Sequence, residues 1–163
     1  MMNISVIDDH PLLAMGIECV CQSIGWVKVC NVYYSLDSFI DNTMCGDVDL
    51  IILDMRLSST DGSHAQVVNK LKKYVPDAKI LSVGGGHYER DRHEALRSGS
   101  HGFASKTESL KSLKEKIENV CKGNFGSKLP VRIGTDMLAT RPLAADLEIY
   151  VTLTISEKRC SGD

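Results

Sequence analysis

Four bulky apolar residues in a row, Leu50-Ile51-Ile52-Leu53, stand between Asp49 and Asp54. A helix with one wet face would interrupt such a run with polar positions. A strand buried on both faces, as in a parallel sheet covered by helices, would not. The rest of the pattern falls into place around this strand (residues 48–54). Residues 3–7 form a strand, and Pro11 then opens a helix, where its missing N–H costs nothing. Leu12, Leu13, Ile17, Val20 and Ile24 recur at helical spacing, and Gly25 closes that helix. Residues 27–32 alternate β-branched residues as a second strand. Ser35 caps a helix carrying Leu36, Phe39 and Ile40, which Gly46 ends. Beyond the central strand, a polar loop over 56–62 precedes a helix with Val67, Val68 and Leu71. Pro76-Asp77 turns the chain into a fourth strand at 79–83, broken by Gly84-Gly85-Gly86. A charged helix over Tyr88–Arg97 is stopped by Gly99, and 101–104 form a fifth strand. Thr107 caps a last helix with Leu110, Leu113, Ile117, Val120 and Cys121.

Strands and helices thus alternate five times. The pattern predicts an α/β fold: a doubly wound, five-stranded parallel sheet with helices on both faces, flavodoxin-like in arrangement. It fills residues 1–122. From Gly123 the periodicity dissolves, so 123–146 read as a linker and 147–163 as a tail too short to be a domain. A formal net charge of -2 gives the surface as a whole no attraction for nucleic acid. No apolar run is long enough for a membrane span, and the first residues lack a signal-peptide layout. Cytoplasmic localisation is expected. Of the six cysteines, none forms a C-x-x-C pair; most are expected to be small buried hydrophobes in a reducing compartment.

The topology brings chemistry to one edge. Ligands of open α/β sheets bind outside the carboxyl ends of the strands. The first strand ends on Asp8 and Asp9, the central strand on Asp54, and Lys106 lies two residues past the fifth. Neighbouring strand ends lie roughly 5 Å apart, so these groups share a pocket. Three carboxylates repel one another unless a cation joins them. Oxygen ligands without His or Cys suit Mg²⁺, with Mn²⁺ as a substitute. Such a centre can bring a phosphoryl group to a carboxylate nucleophile, with Lys106 pairing the transferred group. The plain alternative is that each acid merely caps a helix or strand end.

The motifs Val6-Ile7-Asp8-Asp9-His10-Pro11, Leu53-Asp54-Met55-Arg56-Leu57, Asp61-Gly62 and Gly102-Phe103-Ala104-Ser105-Lys106 resemble the receiver domain of two-component response regulators. The resemblance covers residues 3–122. The spacings of 45 residues from Asp9 to Asp54 and 52 from Asp54 to Lys106 are normal for that family. The D-D-H-P opening is most similar to the NarL/FixJ type, whose members usually carry a C-terminal LuxR-type helix-turn-helix. The resemblance implies that Asp54 is the phosphoacceptor and that Asp8 and Asp9 bind Mg²⁺. It makes the main-chain carbonyl of Arg56 a further metal ligand and Lys106 the contact to the phosphoryl group. Phe103 occupies the family's switch-aromatic position, with plain core packing as the alternative. A histidine kinase or phosphotransfer protein is the implied donor, and self-association or pairing with another regulator the implied output, serving transcription. A receiver accepts phosphate and is not a turnover enzyme.

Two departures stand out. Thirty residues after Asp54 the family usually places Thr or Ser; here that residue is Gly84. It removes a hydroxyl that bonds the phosphoryl group and is expected to make the 84–86 loop floppy. Ser82 lies too deep to replace it. This motivates a second reading, a phosphate-independent receiver acting as a dimerisation or interaction module. Ser58 replaces a frequent Pro, a milder change. A third class, an aspartyl phosphohydrolase, would want an acid two residues after the nucleophile, where Arg56 stands; its side chain is placed at the pocket mouth. His87 and His93 are expected at the surface. In the tail, Leu153-Thr154-Ile155-Ser156-Glu157 resembles the opening of a LuxR-type DNA-binding domain, or is a plain edge strand. Six residues follow it, too few for a recognition helix. Lys128, Arg132 and Arg141 are scattered rather than a phosphate footprint. No DNA binding by this chain alone is expected without a complete helix-turn-helix.

Overall fold

The structure, a computed structural model, describes residues 1–57 and 62–124. Ser58, Asp61, Cys160, the three basic residues of the expected linker, most of that linker and the whole tail lie outside them. The described chain alternates throughout: β1 (Met2–Ile7), α1 (Pro11–Gln22), β2 (Val27–Tyr33), α2 (Leu36–Asn42), β3 (Leu50–Asp54), α3 (His64–Tyr74), β4 (Lys79–Gly84), α4 (Tyr88–Arg97), β5 (Gly102–Ser105) and α5 (Leu110–Cys121). The five strands form one parallel sheet in the order β2-β1-β3-β4-β5. This is the arrangement that the alternation predicts.

β3 occupies the middle, and all five of its residues are buried. Its register sets Ile4 beside Leu50 and Ile7 beside Leu53 on one flank, and Ile51 beside Ile80 on the other. Alternate side chains then serve two cores. Leu50 and Ile52 join Ile4, Val6, Leu81 and Val83 under α1 and α5. Ile51 and Leu53 join Ile7 and Ile80 under α2 and α3. The unbroken apolar run follows directly from this two-sided burial. A smaller cluster of Met55, Ala95 and Phe103 seats α4.

Several boundaries differ from the sequence reading. α1 stops at Gln22, because the Ser23 hydroxyl donates to the Val20 carbonyl at 2.7 Å and the chain turns there. Ile24 is buried but beyond the helix, and Leu12 is exposed. α2 ends at Asn42; Gly46 serves the following turn with a φ of 95°. α5 is capped by Ser109, whose Oγ accepts from the Ser112 N–H at 3.2 Å. Thr107 instead bonds the Ser105 hydroxyl. Ser35 caps α2 as expected, accepting from the Ser38 N–H at 3.1 Å. Of the five described cysteines only Cys21 is buried; Cys30 and Cys121 are half-buried, and Cys19 and Cys45 are exposed. The Cys30 sulfur, then burial, pushes the Cys21 thiol far above its ordinary value, and burial raises Cys121 to about 11. Among the described residues no helix is long and apolar enough to cross a membrane.

Candidate functional site

In a 2-1-3-4-5 sheet the connections reverse direction between β1 and β3, which opens a crevice at their carboxyl ends. Asp8 leaves β1 there, and Asp54 ends β3. Both are all but fully buried, at 1% and 2% exposure. Each is held by a main-chain donor two residues on. The His10 N–H donates to Asp8 Oδ1 at 2.8 Å, and the Arg56 N–H donates to Asp54 Oδ1 at 3.1 Å. These bonds leave the second oxygen of each acid facing the crevice. Lys106, one residue past β5 rather than two, is anchored by its own N–H to the Gly84 carbonyl at 2.8 Å. Its Nζ lies 2.8 Å from Asp54 Oδ2 and 3.3 Å from Asp8 Oδ2. Asp9 sits at the rim. The structure thus brings Asp8, Asp9, Asp54 and Lys106 together.

The electrostatics follow from burial. Desolvation raises the Asp8 pKa above the ordinary carboxylate value; the Asp54 charge adds to that, while the His10 N–H and Lys106 work against it. Asp8 Oδ2 is buried and receives no hydrogen bond, so one ammonium at 3.3 Å is its compensation. Converging carboxylates with an oxygen left over are what an octahedral oxygen-seeking ion such as Mg²⁺ would fill. The donor set fits that ion, with Asp8, Asp9 and Asp54 as the residues to hold it. The Arg56 peptide lies at the pocket through its bond to Asp54.

A ring nitrogen also lies among these oxygens. Asp8, Asp9, His10 and Asp54 each offer one atom of a ligating type, all within 4.8 Å of one another. The His10 side chain, read only as part of a motif, escaped the sequence because its direction depends on a rotamer.

Around Gly84 the strand boundary differs from the sequence reading. β4 runs through Gly84, which is buried. In the loop after it the Gly86 N–H donates to Asp91 Oδ2 at 2.8 Å. Asp91, on the charged α4, is 2% exposed; nothing in its neighbours' types marked it. Glycine at 84 is needed for space: a Cβ there would stand 2.8 Å from Phe103 Cε2, 2.9 Å from Asp91 Oδ2 and 3.1 Å from Met55 Sδ. The Arg56 side chain, exposed, has its Nη2 3.8 Å from Asp91 Oδ1. Phe103 is 7% exposed and stacks edge-on with Tyr88 at 5.5 Å. Ser82 is engaged elsewhere, bonded to His64 Nε2 at 2.9 Å and the Ser100 hydroxyl at 2.6 Å. His87 and His93 are exposed.

Known proteins share this fold. The family model described as the response regulator receiver domain matches residues 4–118. The transcriptional regulatory protein ComA of Bacillus subtilis is 30% identical over 126 residues, covering 77% of this chain and 58% of ComA. The chain spans somewhat more than half the length of the curated relatives it matches. A receiver domain protein from Clostridium thermocellum superposes with a TM-score of 0.63 at 21% identity, over 76% of this chain and 97% of that one. The isolated receiver of RcsB from Salmonella enterica serovar Typhimurium gives 0.67 at 22% identity, over 75% and 89%. The structural likenesses establish the fold; the family match, running from β1 well into α5, establishes more, and this chain belongs to the response regulator receiver domain family.

Proposed function

We propose that this chain is the phosphoacceptor of a two-component relay, with Asp54 as the acceptor. The observation that carries the reading is the approach of Lys106 Nζ to Asp54 Oδ2, 2.8 Å, inside a crevice where Asp8 is equally buried. A histidine kinase or phosphotransfer protein supplies the group. The P–N bond to the donor histidine breaks as a P–O bond to an Asp54 carboxylate oxygen forms, and the histidine ring departs. Lys106 meets the negative charge that the phosphoryl group brings. Asp8, fixed by the His10 N–H, and Asp9 provide the acidic wall. Mg²⁺ or Mn²⁺, when held by Asp8, Asp9, Asp54 and the Arg56 carbonyl, neutralises charge between carboxylates and phosphate oxygens. The chain is phosphorylated once per event and is not a turnover enzyme, since Arg56 stands where a hydrolase would keep an acid. The output is self-association or pairing with another regulator, in the cytoplasm, in the service of transcription. ComA's name as a transcriptional regulatory protein and the description of RcsB dimers on DNA support that direction.

Intact mass after incubation with acetyl phosphate and Mg²⁺ tests the reading. One phosphoryl adduct is expected, absent in Asp54→Ala. A folded protein that acquires no adduct, or an adduct that survives Asp54→Ala, refutes it.

A further inference from the structure

We propose that Asp91, on α4, is a positioning residue for the acid crevice. Its buried carboxylate sets the 84–86 segment, and that segment sets Lys106 against Asp54. The consequence for phosphoryl transfer rests on the reading above; the placing of Lys106 does not.

The run of three glycines carries the first part. None of Gly84, Gly85 and Gly86 has a positive φ, so the backbone conformation alone does not require glycine there. Space does. A Cβ at Gly84 would stand 2.9 Å from Asp91 Oδ2, and one at Gly86 would stand 2.9 Å from the same oxygen and 3.2 Å from Oδ1. A Cβ at Gly85 would stand 3.3 Å from Lys106 Cδ and 3.8 Å from its Cβ and Cγ. The outer two glycines thus leave room for the carboxylate of Asp91, and the middle one lies along the aliphatic stem of Lys106.

The bonds of Asp91 carry the second part. Glu89, in the same first turn of α4, is exposed, whereas Asp91 is buried. An acid that only answers the positive end of a helix needs no burial, and a carboxylate taken out of water is costly unless hydrogen-bonded or paired. Both neighbours of this one lead to the crevice. Oδ2 accepts from the Gly86 N–H, in the segment whose Gly84 carbonyl accepts the Lys106 N–H at 2.8 Å. Oδ1 faces Arg56 Nη2 at 3.8 Å, and the Arg56 N–H donates to Asp54 Oδ1 at 3.1 Å. Asp91 therefore joins the end of β4 to the connection that follows β3. A lysine stem has many rotamers to choose among. A wall of main chain beside it favours the one that brings Nζ to Asp54, and small errors of placement at a reacting centre are costly.

The test compares the intact chain with three variants. Asp91→Asn keeps an acceptor for the Gly86 N–H, and Asp91→Ala removes it. Gly85→Val leaves Asp91 untouched and sets a branched side chain, at an exposed position, against the Lys106 stem. Two quantities are read: the rate of adduct formation from acetyl phosphate and Mg²⁺ by intact mass, and the ¹H–¹³C resonance of the Lys106 ε-methylene, assigned with Lys106→Arg. Asp91→Ala and Gly85→Val are expected to slow the adduct by about tenfold or more, and Asp91→Asn by less than about threefold. The Lys106 resonance should move in the first two and stay close to wild type in Asp91→Asn. Circular dichroism reports folding, and if Asp91→Ala does not fold, Gly85→Val decides. An unmoved Lys106 resonance in folded Asp91→Ala or Gly85→Val, even with a lowered unfolding midpoint, overturns the proposal. So does an Asp91→Asn protein as slow as Asp91→Ala. A resonance that moves as expected while no protein, wild type included, forms an adduct overturns the phosphoacceptor reading and supports the placing of Lys106 by Asp91.

Discussion

Gly84→Ala isolates what the absence of a side chain does at the end of β4, beside β3. The residue lacks the positive φ that would demand glycine, so the backbone alone would reward alanine by about 0.4–1 kcal/mol through the unfolded chain. The neighbours oppose this. The new methyl would meet Phe103 Cε2 at 2.8 Å and Asp91 Oδ2 at 2.9 Å. Neither neighbour yields easily: Phe103 is packed against Tyr88, Met55 and Ala95, and Asp91 is held by the Gly86 N–H. Forcing a group into such a site costs about 1–3 kcal/mol. The net expectation is a loss of about 1–2 kcal/mol. With a urea m-value of about 1–3 kcal/mol/M, the unfolding midpoint falls by about 0.3–2 M. Gly84→Thr, which restores the family's hydroxyl, is expected to lose more. Phe103→Leu in the Gly84→Ala background should recover part of the loss, because it removes the nearest obstacle. An unchanged or raised midpoint for Gly84→Ala, or strict additivity of the two substitutions, would refute the steric account.

Two further predictions concern stability alone. Burial holds the His64 pKa below its ordinary value of 6.5, although Glu94 and Asp54 pull it up. Above about pH 6.5 the imidazole is neutral whether folded or not; below it the unfolded chain takes up a proton that the folded chain refuses, so stability falls with acid. His101, lowered by burial and by Lys72 and Lys79, adds to this, while Asp8, raised by burial, acts in the opposite sense. Denaturation midpoints of His64→Asn between about pH 7 and pH 5 should therefore show a shallower acid slope than wild type, and parallel slopes would exclude His64. The Tyr74 hydroxyl lies 2.8 Å from the Ile40 carbonyl and 2.5 Å from that of Thr43, fastening α3 to the end of α2. Tyr74→Phe should cost about 1–2 kcal/mol in urea denaturation, and an unaltered midpoint would show that water replaces the bond.

What could be read from the amino acids divides along a physical line. Leu50 to Leu53 declare a doubly covered strand because four apolar side chains in a row permit little else. The placing of Asp8, Asp54 and Lys106 at one edge then follows from the order of strands. Helix ends were less legible. Ile24 keeps the helical period after the helix has stopped, and Thr107 and Ser109 offer the same hydroxyl chemistry two residues apart. Position 84 misled for a related reason: a glycine suggests freedom by itself, and only its neighbours reveal that it is there to be filled around. Asp91 and His10 were out of reach, since a buried acid on a charged helix and the rotamer of an exposed ring leave no mark in residue type or spacing.

The middle position of β3 has a consequence for how the protein breathes. Hydrogen-bonded on both flanks and covered on both faces, the amides of Ile51 to Leu53 are expected to exchange with solvent only when the whole domain opens. Asp9, His10 and Lys106 lie beyond the strand ends, on connections. The Asp54 carboxylate is thus carried by the part of the sheet expected to open last, and the groups around it by segments outside the strands. Fluctuations of the rim can reshape the crevice without displacing Asp54.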